Sequence, residues 1–398
     1  MNEEKTINKP LRVLHIGKYF PPHPGGMETY LRDLLNVQKR QGLDVMALVH
    51  ASKRRLFDNE ESVEALDGTT YQVMRSARWF NLGFIPISPG FIWSALKAIR
   101  NFKPDLIHIH HPNASAIWLL FLRCARKVPW IAHWHSDIVT SAAGCAVRSA
   151  YRIYRPWERR MLNRSSHIIA TSPPYLAHSK SLAAYSEKCI CVPLGLDELR
   201  LPDVAAVQAI ARPPERLLLF VGRLAAYKGL GDLVDAMPNL NNVHCWIAGS
   251  GEFYDYISDQ IISSRLQDRV KLLGAVSESE KWSLYQTCDA LVLPSNEHTE
   301  AFGIVLLEAH YFGKPVVVTD TPGSGMSWVA EKIPKSSVAR VNDPEDLAVA
   351  IERLFQLPNE TGKWFSNPIF SLCDQSQKIR AAYLEALCHH HSHGAAND

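Results

Sequence analysis

"RLLLFVGRLAAYKGL" (216–230) reads as a strand, a turn and the start of a helix. Five apolar residues follow Arg216, then come Gly222, two cations five residues apart (Arg223 and Lys228), and Gly229. An unbroken apolar run bounded by glycine fits a strand buried on both faces of a parallel sheet. The pattern recurs in "VHCWIAG" (243–249), "VKLLGAV" (270–276), "ALVLPS" (290–295) and "PVVVTD" (315–320). It also occurs upstream, in "LRVLHIG" (11–17), "DVMALVH" (44–50), "TTYQVMR" (69–75), "DLIHIHH" (105–111), "PWIAHWH" (129–135), "HIIATS" (167–172) and "KCICVPLG" (188–195).

Amphipathic helical stretches such as 26–42 and 90–102 separate the strands, and alternation of this kind predicts parallel sheets covered by helices. The fold class is therefore α/β, with two Rossmann-like doubly wound domains facing across a cleft. The predicted division is 1–196, a linker at 197–215 that is rich in Pro, Asp and Ala, 216–370, and 371–398 as a last helix with a His-rich tail. That helix, "SQKIRAAYLEALC" (376–388), can return to either domain, and the tail 389–398 reads as a disordered end.

A chain of 398 residues with 46% hydrophobic content suits two cores better than one. Eight cysteines without a Cys-x-x-Cys pair and a polar start predict a reducing, cytoplasmic setting. The apolar run "ASAIWLLFL" (114–122) is far short of the roughly 20 residues needed for a membrane span. Residues 1–194 carry 26 Lys+Arg against 14 Asp+Glu, and residues 195–398 carry 17 against 26. The basic first half suggests an anionic partner.

"TEAFGIVLLEAHYFGKPVV" (299–317) should be a loop turning into a helix at Gly303 and stopping at Gly313. The amides of Phe302, Gly303 and Ile304 then sit at the positive end of the helix dipole, where a phosphate can bind. Glu300 and Glu308 flank that point, too far apart to share a proton, and each can accept hydrogen bonds from hydroxyls of an elongated ligand. Sugar, diphosphate and ribose have that layout. Arg223 and Lys228 supply a bidentate donor and a point charge to the same diphosphate. Gly249 and Gly251 in "WIAGSGE", with Gly274 and Val276 in "LLGAVSESE", mark further turns along the same sheet edge.

These motifs together resemble the retaining glycosyltransferases of family 4, which have the GT-B architecture. "PPHPGGMETY" (21–30) resembles their N-terminal glycine loop, "VGRLAAYKG" the diphosphate-binding turn, "IAGSGE" and "LGAVS" the nucleotide edge, and "PSNEHTEAFGIVLLEAHYFGKPVV" the two-glutamate signature. The resemblance implies that Arg223 and Lys228 bind the donor diphosphate, Glu308 the ribose hydroxyls and Glu300 the transferred sugar. Amides near Phe302 and Gly303 assist, while Gly25 and Gly26 close the site from the first domain. His135 in "AHWHSDIV" (132–139) is expected to face the donor sugar, with His133 the competing candidate and Asp137 a contact to sugar or acceptor.

The resemblance further implies a same-face displacement without a carboxylate nucleophile, from a GDP- or UDP-sugar co-substrate and with no further cofactor. No divalent metal is called for, and no Asp-x-Asp sits at a strand end. Segment 148–164, with Arg148, Arg152, Arg155, Arg159 and Arg160 among Tyr151, Tyr154 and Trp157, suggests peripheral contact with the inner face of an anionic membrane. The acceptor expected is a lipid-pyrophosphate-linked saccharide of bacterial surface polysaccharide. Segment 329–347, "VAEKIPKSSVARVNDPEDL", departs from the pattern, lacking the Gly-Leu-rich strand usual in relatives.

Competing classes fit less well. A nucleotide-sugar epimerase needs further acid/base residues and lacks the two-glutamate pattern. A dehydrogenase needs Gly-x-Gly-x-x-Gly after its first strand, where "HIGKYFPPHPGG" has none. The basic half carries no nucleic-acid motif.

Overall fold

Period-two alternation in the strands sends apolar side chains to both faces, and both faces are covered. The computed structural model describes residues 9–65, 67–82, 85–138, 145–357 and 368–394. The first sheet contains β1 (Arg12–Ile16), β2 (Asp44–His50), β3 (Asn59–Glu64) and β4 (Thr70–Ser76). A short hairpin of β5 (Phe80–Leu82) and β6 (Ile85–Ile87) leads on to β7 (Leu106–His111), β8 (Trp130–Trp134), β9 (His167–Ala170) and β10 (Cys189–Cys191). The spatial order is β10-β9-β8-β7-β1-β2-β4-β3, parallel except at the β3 edge.

On β1, Leu14 and Ile16 join the core beneath one face while Val13 joins the other, and His15 shares the face of Val13. Helices α1 (Gly26–Arg40), α2 (Phe91–Phe102), α3 (Cys145–Arg164) and α4 (Pro173–His178) accompany this sheet.

The second sheet contains β11 (Arg216–Val221), β12 (Val243–Ala248), β13 (Val270–Gly274), β14 (Ala290–Leu293), β15 (Val316–Asp320) and β16 (Ser336–Arg340), in the order β13-β12-β11-β14-β15-β16 and all parallel. Its helices are α5 (Leu230–Ala236), α6 (Tyr254–Ser263), α7 (Glu278–Thr287), α8 (Ile304–Tyr311), α9 (Met326–Ala330) and α10 (Pro344–Gln356). The last helix, α11 (Leu372–Gly394), lies against α1, where Gln38 Nε2 donates to Tyr383 Oη at 2.9 Å and Ser376 Oγ to Gln41 Oε1 at 2.8 Å.

Two edge strands lie outside the runs read from the sequence, and one expectation needs correction. The acidic "NEESVE" run forms β3, an antiparallel edge strand whose alternate residues are exposed, so its apolar signal is weak. Segment 329–347, without the Gly-Leu-rich strand usual in relatives, still forms β16 as SSVAR, which pairs with β15 over Ser336–Arg340. The His-rich end is helical through Gly394, with His390 Nε2 2.9 Å from the Lys127 carbonyl, and residues 395–398 lie outside the described residues. Among the described residues no helix is long and apolar enough to cross a membrane.

Candidate active site

Strand order reverses between β11 and β14, because β11 leads outward to β12 and β13 and the chain then crosses back to β14. Open α/β sheets hold ligands at such a switch point, beyond the carboxyl ends of the strands. Both motifs singled out in the sequence leave the sheet there. Asn296 donates its amide to the Tyr227 carbonyl at 2.9 Å, tying the loop after β14 to the turn after β11. Gly229 adopts φ 65°, and a Cβ at that position would stand 1.9 Å from the Pro294 carbonyl oxygen, so no other residue fits.

Lys228 and Glu300 meet in this turn. The Lys228 ammonium donates to Glu300 Oε2, and both side chains are largely buried. Burial would lower the pKa of Lys228, but Glu300 and Tyr227 outweigh it, so the ammonium is held above its ordinary value and stays charged. Arg223 reaches outward instead, and its Nε and Nη2 donate to Glu252 Oε2 at 3.1 and 2.9 Å. The two cations therefore differ in role: one is fixed and buried, the other exposed and free to exchange Glu252 for an anion.

Helix α8 starts where the sequence placed it. Gly303 caps it with φ 77°, and Gly313 ends it with its amide on the His310 carbonyl at 2.8 Å. The first amides of an α-helix have no partner within the helix, so this end presents donors beside the Lys228–Glu300 pair. Gly249 and Gly251 follow β12, with the Gly249 amide on the Gly274 carbonyl at 2.7 Å, and half-buried Val276 follows β13. These turns continue the same edge.

Glu308 is 3% exposed and lies deeper than an isolated surface glutamate would. Its Oε1 accepts from Lys281 Nζ at 2.6 Å and its Oε2 from Tyr285 Oη at 3.0 Å, with Arg200 Nη2 3.6 Å from Oε1. Burial would raise its pKa; Lys281 and Arg200 outweigh that and hold it ionised. Sequence reasoning missed all three partners. Arg200 comes from the segment read as linker, and it also binds Glu278 on α7 and Asp33 on α1, the latter at 2.7 Å. A single arginine thus joins the two halves of the chain to Glu308. The legible signal was an arginine beside Asp197, which is itself buried and paired with Arg40 at 2.6 Å.

From the first half, Gly25 and Gly26 open α1 toward α8, and a Cβ at Gly26 would lie 3.6 Å from Ile304 Cγ2. Lys18 and Glu28 feel the charge of Arg223 across the gap, although burial dominates both, lowering the lysine and raising the carboxyl. His135 follows β8 and is 7% exposed, with Nε2 3.0 Å from His110 Nδ1. His133 is fully buried on the same face, and neither of its ring nitrogens has a partner among the described residues.

Asp137 is engaged on several sides. It accepts from Trp134 Nε1 at 2.8 Å and Ser179 Oγ at 2.9 Å, and His298 from the loop after β14 lies 3.5 Å away. Asp137 raises the pKa of His298 above 6.5. The contact therefore contributes stability below about pH 6.5 and loses it as the pH rises through the elevated value. In Asp137→Asn the His298 ring resonances should titrate at lower pH than in the wild type, and an unchanged midpoint would show that Asp137 is not the cause.

On α3 the arginines at 152, 155, 159 and 160 face outward, while Trp157 packs on Phe121 with ring centroids 5.2 Å apart and Tyr151 donates to buried Glu158 at 3.0 Å. Arg160 lies over the half-buried Trp157 ring at 4.7 Å to its centroid, so cations and aromatic rings alternate along this part of α3.

Two parallel α/β sheets and a cationic, helix-capped switch point define a glycosyltransferase of the GT-B type, and the comparisons agree. Residues 207–367 match the model of the glycosyl transferases group 1, and residues 24–200 that of glycosyltransferase family 4. The chain belongs to this glycosyltransferase family. It is 30% identical over 357 residues to the D-rhamnosyltransferase WbpZ of Pseudomonas aeruginosa, covering 88% of each chain. It is 27% identical over 365 residues to the O-antigen chain mannosyltransferase C of Escherichia coli, covering 90% of this chain and 92% of that one. Among solved structures, the sucrose-phosphate synthase of Thermosynechococcus elongatus superposes with a TM-score of 0.70 at 20% identity, over 97% of this chain and 100% of that one.

Proposed function

We propose that the chain is a retaining hexosyltransferase. It moves a hexose from a nucleotide-sugar donor, GDP-mannose or a UDP-hexose, to a saccharide acceptor carried on a lipid pyrophosphate in bacterial surface polysaccharide assembly. The observation that carries this reading is the buried, charged Lys228 held against Glu300 beside the N-terminus of α8. The names of the two sequence relatives support the hexose and polysaccharide class, and the outward arginines of α3 suit an anionic acceptor carrier or leaflet.

In this reading Arg223 leaves Glu252 for the donor diphosphate, Lys228 and the amides of Phe302, Gly303 and Ile304 hold its inner phosphate, and Glu308 uses its remaining lone pairs on the ribose. Gly249, Gly251 and Val276 border the base. Gly25 and Gly26 close over the phosphates, and His135 and Glu300 meet the sugar. The bond from the anomeric carbon to the phosphate oxygen breaks as the bond to the acceptor oxygen forms on the same face. The departing phosphate takes the acceptor's proton, and the cations neutralise its charge.

Thermal unfolding with UDP, GDP and ADP tests this. One nucleotide should stabilise the wild type, by about 2.7 kcal/mol at a hundred times its Kd, and stabilise Arg223→Ala much less. If none stabilises either protein, the donor site is wrongly placed.

A further inference from the structure

Five histidines share one face of the first sheet: His15 on β1, His108 and His110 on β7, and His133 with His135 on β8 and just beyond it. Register aligns His15 with His108 and His110 with His133. The array is sealed by α1 and α11, with the Tyr30 and Tyr383 rings edge-on to it. Isolated imidazoles in a core are costly unless hydrogen-bonded. Three of these form a continuous chain: His135 Nε2 to His110 Nδ1 at 3.0 Å, His110 Nε2 to His15 Nδ1 at 3.1 Å, and His15 Nε2 to Gln38 Oε1 at 2.8 Å.

That chain has a direction. Gln38 Nε2 donates to Tyr383 Oη at 2.9 Å, an oxygen that also lies 2.5 Å from His108 Nδ1, so Gln38 turns its acceptor oxygen toward His15. An amide oxygen only accepts, so His15 carries its proton on Nε2 and leaves Nδ1 bare. His110 must then donate through Nε2 and accept at Nδ1, and His135 must donate through Nε2. Burial keeps all three rings neutral, with His15 at about 4 and His135 at about 3. The end of the chain is His135 Nδ1, a buried lone pair without a partner among the described residues.

We propose that Gln38, His15 and His110 are positioning residues that fix His135 as its Nε2–H tautomer, so that its Nδ1 accepts a hydrogen bond from a hydroxyl of the donor sugar. The inference rests on the donor-site reading above and deepens it. A metal fits the array less well. His15, His108 and His110, and likewise His110, His133 and His135, bring ligand atoms within 4.8 Å of one another, but no carboxylate joins either group among the described residues. A dication among neutral rings would lack a counter-charge, and both nitrogens of His110 are already used.

The test uses the full chain with 15N-labelled histidine rings, assigned against His135→Asn. A bare Nδ1 and a protonated Nε2 are expected at His135 and at His110. In Gln38→Met the His135 tautomer should become mixed. Acceptor-free hydrolysis of GDP-mannose or UDP-glucose, whichever is turned over, should fall about ten-fold, the scale seen when outer partners of a functional histidine are lost. The KM for the donor and stabilisation by GDP or UDP should be unchanged, because the nucleotide sits on the second sheet; a Gln38 that only supported packing would lower the melting temperature and leave tautomer and turnover alone.

A protonated Nδ1 at wild-type His135 overturns the proposal even if Gln38→Met does not fold, and so does stoichiometric zinc in the purified protein. If neither GDP nor UDP stabilises the wild type, the donor-site reading falls and takes the inference with it. If one of them does and His135 shows the opposite tautomer, only the relay fails.

Discussion

Acidification from pH 7 to pH 4 should unfold this protein. Burial lowers the pKa of His15 and His50 to about 4 and of His111 and His135 to about 3, from an ordinary 6.5. Below pH 6.5 the unfolded chain takes up protons that the folded chain refuses, so stability falls with pH until the folded values are reached. Each such group costs about 1.4 kcal/mol per pH unit, and four together cost about 5 kcal/mol per unit below about pH 6. A native stability on the order of 5–15 kcal/mol is spent within two or three units.

Trp130 and Trp134, buried on β8 beside the histidines, report the transition by fluorescence, with circular dichroism as the second probe. His133 offers the control, since neither of its nitrogens is bonded among the described residues. His133→Leu should raise stability by about 1–3 kcal/mol and move the acid midpoint down, because it removes two unsatisfied polar atoms at similar volume. A wild type that stays folded at pH 3 would show that the rings are not held neutral.

Replacing Lys228 with alanine should have the largest effect on turnover. The ammonium is the fixed charge at the switch point, and losing one preorganised stabiliser of developing charge costs about 10²- to 10³-fold. It should also cost about 3–5 kcal/mol of stability, since Glu300 would remain largely buried without its partner. The double variant Lys228→Ala/Glu300→Gln separates the two effects. Removing the stranded charge should restore most of the stability while turnover stays low. Donor hydrolysis and thermal unfolding of Lys228→Ala, Glu300→Gln and the double variant measure this, and because Glu300 itself meets the sugar in the reading above, a double variant no slower than Glu300→Gln alone would reduce Lys228 to a structural partner of Glu300.

Much of the site could be read from local sequence, because its parts are backbone devices. A glycine that must take positive φ, a helix that begins at Gly303, and cations in the turn after an apolar strand are properties of short segments. The α8 boundaries and the Lys228 turn therefore appear where expected. The β3 and β16 strands were harder to read. One is an edge with alternate residues exposed, and the other has two serines and an arginine among its five residues, so neither shows the apolar run that marked the central strands.

Partners were another matter. Glu300 gave no sign that its nearest cation would be Lys228, 72 residues earlier, and Glu308 gave none of Lys281, Tyr285 or Arg200. The histidines of three strands looked like separate residues until strand order set β1, β7 and β8 side by side. The sequence by itself determined which central segments are strands, where they stop, and which residue types wait at their ends, because those follow from burial patterns and backbone sterics within a few residues. Only the tertiary structure decided which buried charges neutralise one another and which imidazoles share a proton chain. Those pairings depend on distances of a few ångströms between segments far apart in the chain, and no local preference encodes them.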